Sequence, residues 1–275
     1  ARIVVANELP QETTVHWHGV RVPNAMDGVP HVTQHPIAQG ARFEYAFGFP
    51  DSGTFWYHPH QNSFEQVPRG LYGALIVEEE KPIAVDRDEV WVLSDMKLAP
   101  DGQQVEDFGR IPEVANDGRI GNQILLNGAA AGSGRAMAVR SGERLRLRLV
   151  NAASARVFRL AFAGHRPLVI AYDGQGTTPH PAPAAGGLAL GPGMRADLVI
   201  DCMRRPGEWF AVSDVDRGTN VIARLAYGPE RPLRDLPSDA PVALAPNELP
   251  EPDLRSATDH YIVFQGGMRG APLIG

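Results

Sequence analysis

The amino-acid sequence predicts an all-β protein with two β-sandwich domains in tandem. Three observations carry this: short runs in which apolar and polar residues alternate, abundant turn formers, and an internal repeat.

Phe43, Tyr45, Phe47 and Phe49 alternate with Arg42, Glu44, Ala46 and Gly48, the period of a strand with one buried face. Leu145, Leu147 and Leu149 alternate with Arg144, Arg146 and Arg148 in the same way, so a second half-buried strand is expected there. Another is expected over residues 89–94. The 29 glycines and 24 prolines in 275 residues punctuate many short elements, as sandwich folds require. No stretch has the pattern of a long amphipathic helix, and residues 129–134, small and glycine-rich, are expected to form a loop.

The repeat gives the domain organisation. Residues 2–10 lie over residues 146–154, anchored on Asn7 and Asn151. Gly40-Ala-Arg42-Phe-Glu44-Tyr45 matches Gly193-Met-Arg195-Ala-Asp197-Leu198, and Ser52-Gly53-Thr-Phe55-Trp56 matches Pro206-Gly207-Glu-Trp209-Phe210. The expected divisions are a first domain over 1–80, a second over 81–228, and a proline-rich linker with the first strand of a third domain over 229–275, that strand lying at residues 260–264. The second copy has a long leading segment that the first lacks. A sandwich without its opening strands would leave an unpaired edge, so further residues are expected upstream of Ala1.

Composition narrows the function. The net charge is −6, which argues against nucleic acid as the main partner, because phosphate binding needs a basic face. No apolar run approaches the roughly 18 residues of a membrane span, and mean hydropathy is −0.20. Cys202 is the one cysteine, so no intrachain disulfide forms. It sits in an apolar run without a neighbouring histidine and reads as a buried structural thiol.

Two His-x-His pairs carry the chemistry: His16-Trp17-His18 and His58-Pro59-His60. Each ends a strand-like segment, where residues i and i+2 share a face, so each pair can aim two imidazoles at one point. Neutral imidazole suits copper, zinc, iron or nickel. The repeat sets His16 and His18 against Leu160 and Phe162, and His58 and His60 against Val212 and Asp214. The scaffold therefore does not itself demand histidine there. His31 and His35 lie in a loop, and His165, His180 and His260 stand alone; packing or solvent accounts for these five. Trp56 and Tyr57 are expected to fill core and to support the imidazoles from behind.

His16-Trp-His18-Gly19, then Asp27-Gly28-Val29-Pro30, then Gly53-Thr-Phe-Trp-Tyr-His58-Pro-His60 closely resemble the first domain of multicopper oxidases such as laccases and ascorbate oxidase. The resemblance covers nearly all of residues 1–80, and the following domain resembles the copper-free middle domain of three-domain members. It implies tandem cupredoxin-like Greek-key β-sandwich domains and copper as cofactor. His16 would be the type 2 ligand, and His18, His58 and His60 type 3 ligands, in a trinuclear cluster that reduces dioxygen to water. The electrons would come from a phenol-like or metal-ion reductant, and the protein would be periplasmic or secreted. Asp27, nine residues after His18, stands where the family places a carboxylate that helps deliver protons. Asp27-Gly28 also reads simply as a turn, and the two readings are compatible.

The sequence departs from the family at one place. The electron-entry (type 1) copper needs a cysteine flanked by histidines, and no His-Cys-His occurs. That site and the remaining cluster ligands are expected in a C-terminal cupredoxin domain of the same protein, absent from this chain, which alone would be inactive. Two other readings stay open. A copper nitrite reductase would carry cysteine where Pro59 stands. A copper-free structural scaffold would have lost the histidines that this chain keeps.

Overall fold

A computed structural model describes residues 1–114, 118–132, 134–249 and 252–262. Among them strands dominate, and the two α-helices, α1 (Ser63–Gln66) and α2 (Ile111–Val114), are single turns.

The first unit holds β1 (Arg2–Ala6), β2 (His16–His18), β3 (Arg42–Ala46), β4 (Gly53–His58) and β5 (Gly73–Val77). β1 pairs with β3, and β2, β4 and β5 form a second sheet in that order. Trp17, Ile37, Tyr45 and Phe47 fill its core. The alternation through residues 42–49 is borne out, with Tyr45 fully buried and Phe47 7% exposed.

The second unit contains β6 (Arg87–Met96), β7 (Gln123–Leu126), β8 (Ala129–Ala130), β9 (Ala136–Val139), β10 (Glu143–Asn151), β11 (Phe158–Phe162), β12 (Leu168–Tyr172), β13 (Gln175–Pro181), β14 (Leu188–Leu190), β15 (Arg195–Cys202), β16 (Trp209–Asp214) and β17 (Asn220–Tyr227). Seven strands, ordered β13-β12-β15-β10-β6-β7-β8, face five, ordered β14-β11-β16-β17-β9. Between them lie Leu93, Leu145, Leu147, Leu149, Phe158, Leu198 and Ile222.

The repeat is structural. β1 on β3 pairs Ala6 with Arg42 and Val4 with Glu44; β10 on β15 pairs Val150 with Arg195 and Arg148 with Asp197, the same register. The anchoring asparagines match bond for bond. Asn7 donates through Nδ2 to the Ile37 and Gln11 carbonyls and accepts from the Leu9 N–H. Asn151 donates to the Leu190 and Arg156 carbonyls and accepts from the Ala153 N–H. Buried carbonyls need such donors, which explains an asparagine at both places.

Four expectations need correction. β10 is not half buried: all nine residues are buried, arginines included. It lies inside the larger sheet between β6 and β15, and its arginine face is covered by the first unit. Arg146 bonds Glu79 at 2.7 Å and Asp197 at 2.6 Å, while Arg148 bonds Asp88 and the Thr54 hydroxyl. Residues 129–134 are not all loop, because Ala129–Ala130 pair with Leu125–Leu126. Asn127 (φ 49°) and Gly128 (φ 72°) make the turn between them, as an Asn-Gly pair favours. The alignment of the histidine strands slips by two residues, since Phe162, not Leu160, stands opposite Val212 while His16 stands opposite His58. β11 and β16 pair without interruption, and a shift of two keeps the same face. Residues 260–262 carry no strand, with Tyr261 97% exposed; the rest of that expected strand lies outside the described residues.

The proline-rich linker has no regular structure through residue 249, yet it is tied down. Arg234 pairs with Asp86. Asn247 donates to the Ser52 and Gly174 carbonyls and accepts from the Ser52 N–H, so one side chain touches both units.

Candidate metal centre

β2 and β4 run antiparallel, and the ladder sets His16 opposite His58 and His18 opposite Trp56. Alternation turns Trp17 into the core, where it is 4% exposed, and leaves His16 and His18 together on the other face. One ring nitrogen from each of His16, His18 and His58 lies within 4.8 Å of the other two. No other such group of histidine, cysteine and acidic side chains occurs among the described residues.

Each ring is held so that one nitrogen remains available. His16 Nδ1 lies 2.8 Å from the Asp27 carbonyl and 3.2 Å from its Oδ1. A carbonyl only accepts, so Nδ1 carries the proton and Nε2 is left bare. His58 Nδ1 donates likewise to the Pro59 carbonyl at 2.9 Å. His18 turns Nδ1 toward the bare Nε2 of His58, 3.3 Å away. Trp56 supports both rings, with centroids 4.9 Å from His18 and 4.3 Å from His58. Tyr57 points away and is 39% exposed, so it does not share the role expected of it.

His60 stands beside this group. The strand ends at His58, and Pro59, which has no N–H, cannot continue the ladder. The His60 and Gln61 N–H groups instead bond the Thr14 hydroxyl. The His60 ring is exposed and meets His16 edge-on, centroids 5.7 Å apart.

Asp27 forms the turn expected of it. It closes a 3-10 turn over Asn24–Met26, and Gly28 follows at φ 76° with no room for a Cβ against the Val15 carbonyl. That fit lays Asp27 on His16. His31, His35 and His180 are not part of the group, and His165 bonds the Tyr227 hydroxyl.

Burial sets the electrostatics. It pushes His18 down to about 3, aided by the Arg195 guanidinium and by the His58 and His16 rings. It pushes His58 down to about 4, against the opposing effect of its bond to Pro59. Desolvated rings that resist protonation are a fitting donor set for a divalent transition metal. The group opens on a pocket of about 400 Å³, lined by Phe64, Val67, Ala153 and Gly193 beside His18 and His58.

Sequence reasoning missed what the second unit adds. Gly193 and Arg195, just before and at the start of β15, lie against His18 and Gly19. Nothing in the sequence near the histidines signals this contact.

Known proteins resemble this chain in sequence and fold. Two multicopper oxidase family models match, over residues 1–82 and 89–229. Multicopper oxidase MmcO of Mycobacterium tuberculosis is 30% identical, the match covering 81% of this chain and 47% of that protein. Copper resistance protein A of Pseudomonas syringae pv. tomato is 31% identical over 64% of this chain and 35% of its own length. The crystal structure of a multi-copper oxidase from Pseudomonas thermotolerans superposes with a TM-score of 0.84 at 33% identity, covering 94% of this chain and 60% of that one. The chain thus spans about half or less of these two curated relatives. No helix among the described residues is long and apolar enough to cross a membrane. With the second family model alone spanning more than half of its 275 residues, this chain belongs to the multicopper oxidase family.

Proposed function

We propose that His16, His18, His58 and His60 supply part of a copper cluster in an oxidase that passes electrons from a phenol-like or metal-ion reductant to dioxygen. The observation that carries this is the approach of one ring nitrogen from each of three imidazoles to within 4.8 Å of the others. Bound copper would supply the one-electron chemistry that organic side chains lack.

The chain's own residues do the rest. His18 and His58 offer two desolvated nitrogens as a pair, His16 offers Nε2 from the adjoining strand position, and His60 closes the group at its exposed side. Asp27 fixes the His16 ring and, half-buried at the rim, is placed to hold a proton near that ligand. Trp56 excludes water from behind. The electron-entry copper and the remaining ligands belong to a further domain, and location in the periplasm or outside the cell belongs to the same proposal.

Titration of this chain with Cu(II), followed by electron paramagnetic resonance, tests the reading. Nitrogen coordination that is lost in His16→Gln and His58→Gln is expected. A chain that takes up no copper, or takes it up equally after both substitutions, would point to a copper-free scaffold.

A further inference from the structure

The second unit, which contributes no histidine to the group, presses directly on one of the imidazoles. A Cβ built on Gly193 would lie 3.0 Å from Cε1 and 3.3 Å from Nε2 of His18, and 3.8 Å from Trp56. The His18 ring thus lies against both Trp56 and the bare backbone of Gly193. Its Nε2–Cε1 edge faces Gly193, and its Nδ1 faces His58.

The turn that presents Gly193 is anchored from several directions. Its N–H donates to the Asn151 carbonyl at 2.9 Å, and Asn151 is fully buried. Its carbonyl accepts from Arg195 Nη1 at 3.1 Å, while Arg195 Nε donates to the Thr54 carbonyl of β4 at 3.2 Å. Arg195 is 3% exposed, and its guanidinium fills the space where a Cβ on Gly19, next to His18, would go. The turn is therefore bolted to the same strand that carries His58.

We infer that Gly193 is a positioning residue for His18: by admitting the ring edge against its backbone, it selects Nδ1 as the nitrogen offered to the metal. The copper-free domain would then fix the geometry of a ligand that it does not supply. This rests on the metal reading above, but the ring placement itself can be measured without metal.

The repeat provides the control. Gly40 is the counterpart of Gly193 in the first unit. It has nearly the same backbone angle, φ +77° against +80°, and makes the same bond, from its N–H to the Asn7 carbonyl at 2.7 Å. Nothing lies within 4 Å of a Cβ built there. Alanine costs both sites the same left-handed strain, but only at Gly193 does it meet an imidazole.

The experiment compares Gly193→Ala with Gly40→Ala in the full chain. Nitrogen-15 NMR of the His18 ring, without metal, should show altered shifts or tautomer balance in Gly193→Ala alone. Cu(II) affinity should fall about tenfold or more in Gly193→Ala and stay near wild type in Gly40→Ala. An unmoved His18 signal in a folded Gly193→Ala chain, or equal changes in the two variants, overturns the inference. If the wild-type chain takes up no Cu(II), the metal reading fails, and the His18 signals still decide the placement.

Discussion

His18 Nδ1 lies 3.3 Å from His58 Nε2, and burial disfavours the charged form of both rings. A histidine whose pKa is lower in the folded chain than its unfolded value of about 6.5 binds protons better when unfolded. The stability carried by these rings is complete above about pH 6.5. It drains away as the pH falls toward about 4 for His58 and about 3 for His18. An NMR titration should find both rings neutral at pH 5, and midpoints near the ordinary histidine value would contradict the buried geometry.

Asn151 satisfies two carbonyls and one N–H in a fully buried turn. Asn151→Ala should cost about 2–4 kcal/mol, the sum for buried groups left without partners, read by urea denaturation. Asn7→Ala should do the same to the first unit. A loss below about 0.5 kcal/mol in either would mean that water replaces the side chain.

Arg146 lies between Glu79 and Asp197 with its side chain 1% exposed. Arg146→Met removes one cation and leaves the buried Glu79 and Asp197 with Arg148 alone, at 3.7 and 3.5 Å. A loss of about 3 kcal/mol is expected, the lower end for breaking a buried pair. Replacing Arg159, whose pairing with Asp216 is largely exposed, should cost about 1 kcal/mol or less. Thermal unfolding of the two variants side by side checks the contrast.

Cys202 is fully buried, and burial pushes its thiol up to about 12. The thiolate is the reactive species, so iodoacetamide at pH 8 should leave the native chain unlabelled and modify it only after denaturation. Mass spectrometry reads the outcome, and rapid native labelling would place Cys202 near solvent.

The fold class, the repeat and the His-x-His pairs were legible because each is a local pattern. Alternation shows which residues share a face, and β3 and β6 followed from it. It does not show what covers the other face, so the arginines of β10 looked like a wet surface when another unit lies over them. The same blindness hid Gly193, whose role depends on a ring more than 170 positions away in sequence. The Asn127-Gly128 pair stands in the sequence as a hairpin-turn signal, although the small, glycine-rich residues after it read as loop. The two-residue slip between β11 and β16 was not available, because a shift of two leaves the alternation of faces unchanged.

The arginine row of β10 governs how the two sandwiches can move. Apolar contact is non-directional, but a guanidinium fork grips a carboxylate only in its own plane. Arg146, held by Glu79 on one side and Asp197 on the other, works as a keyed joint. Whatever strain a ligand places on His18 is thereby resisted by the larger sandwich as well as the smaller one.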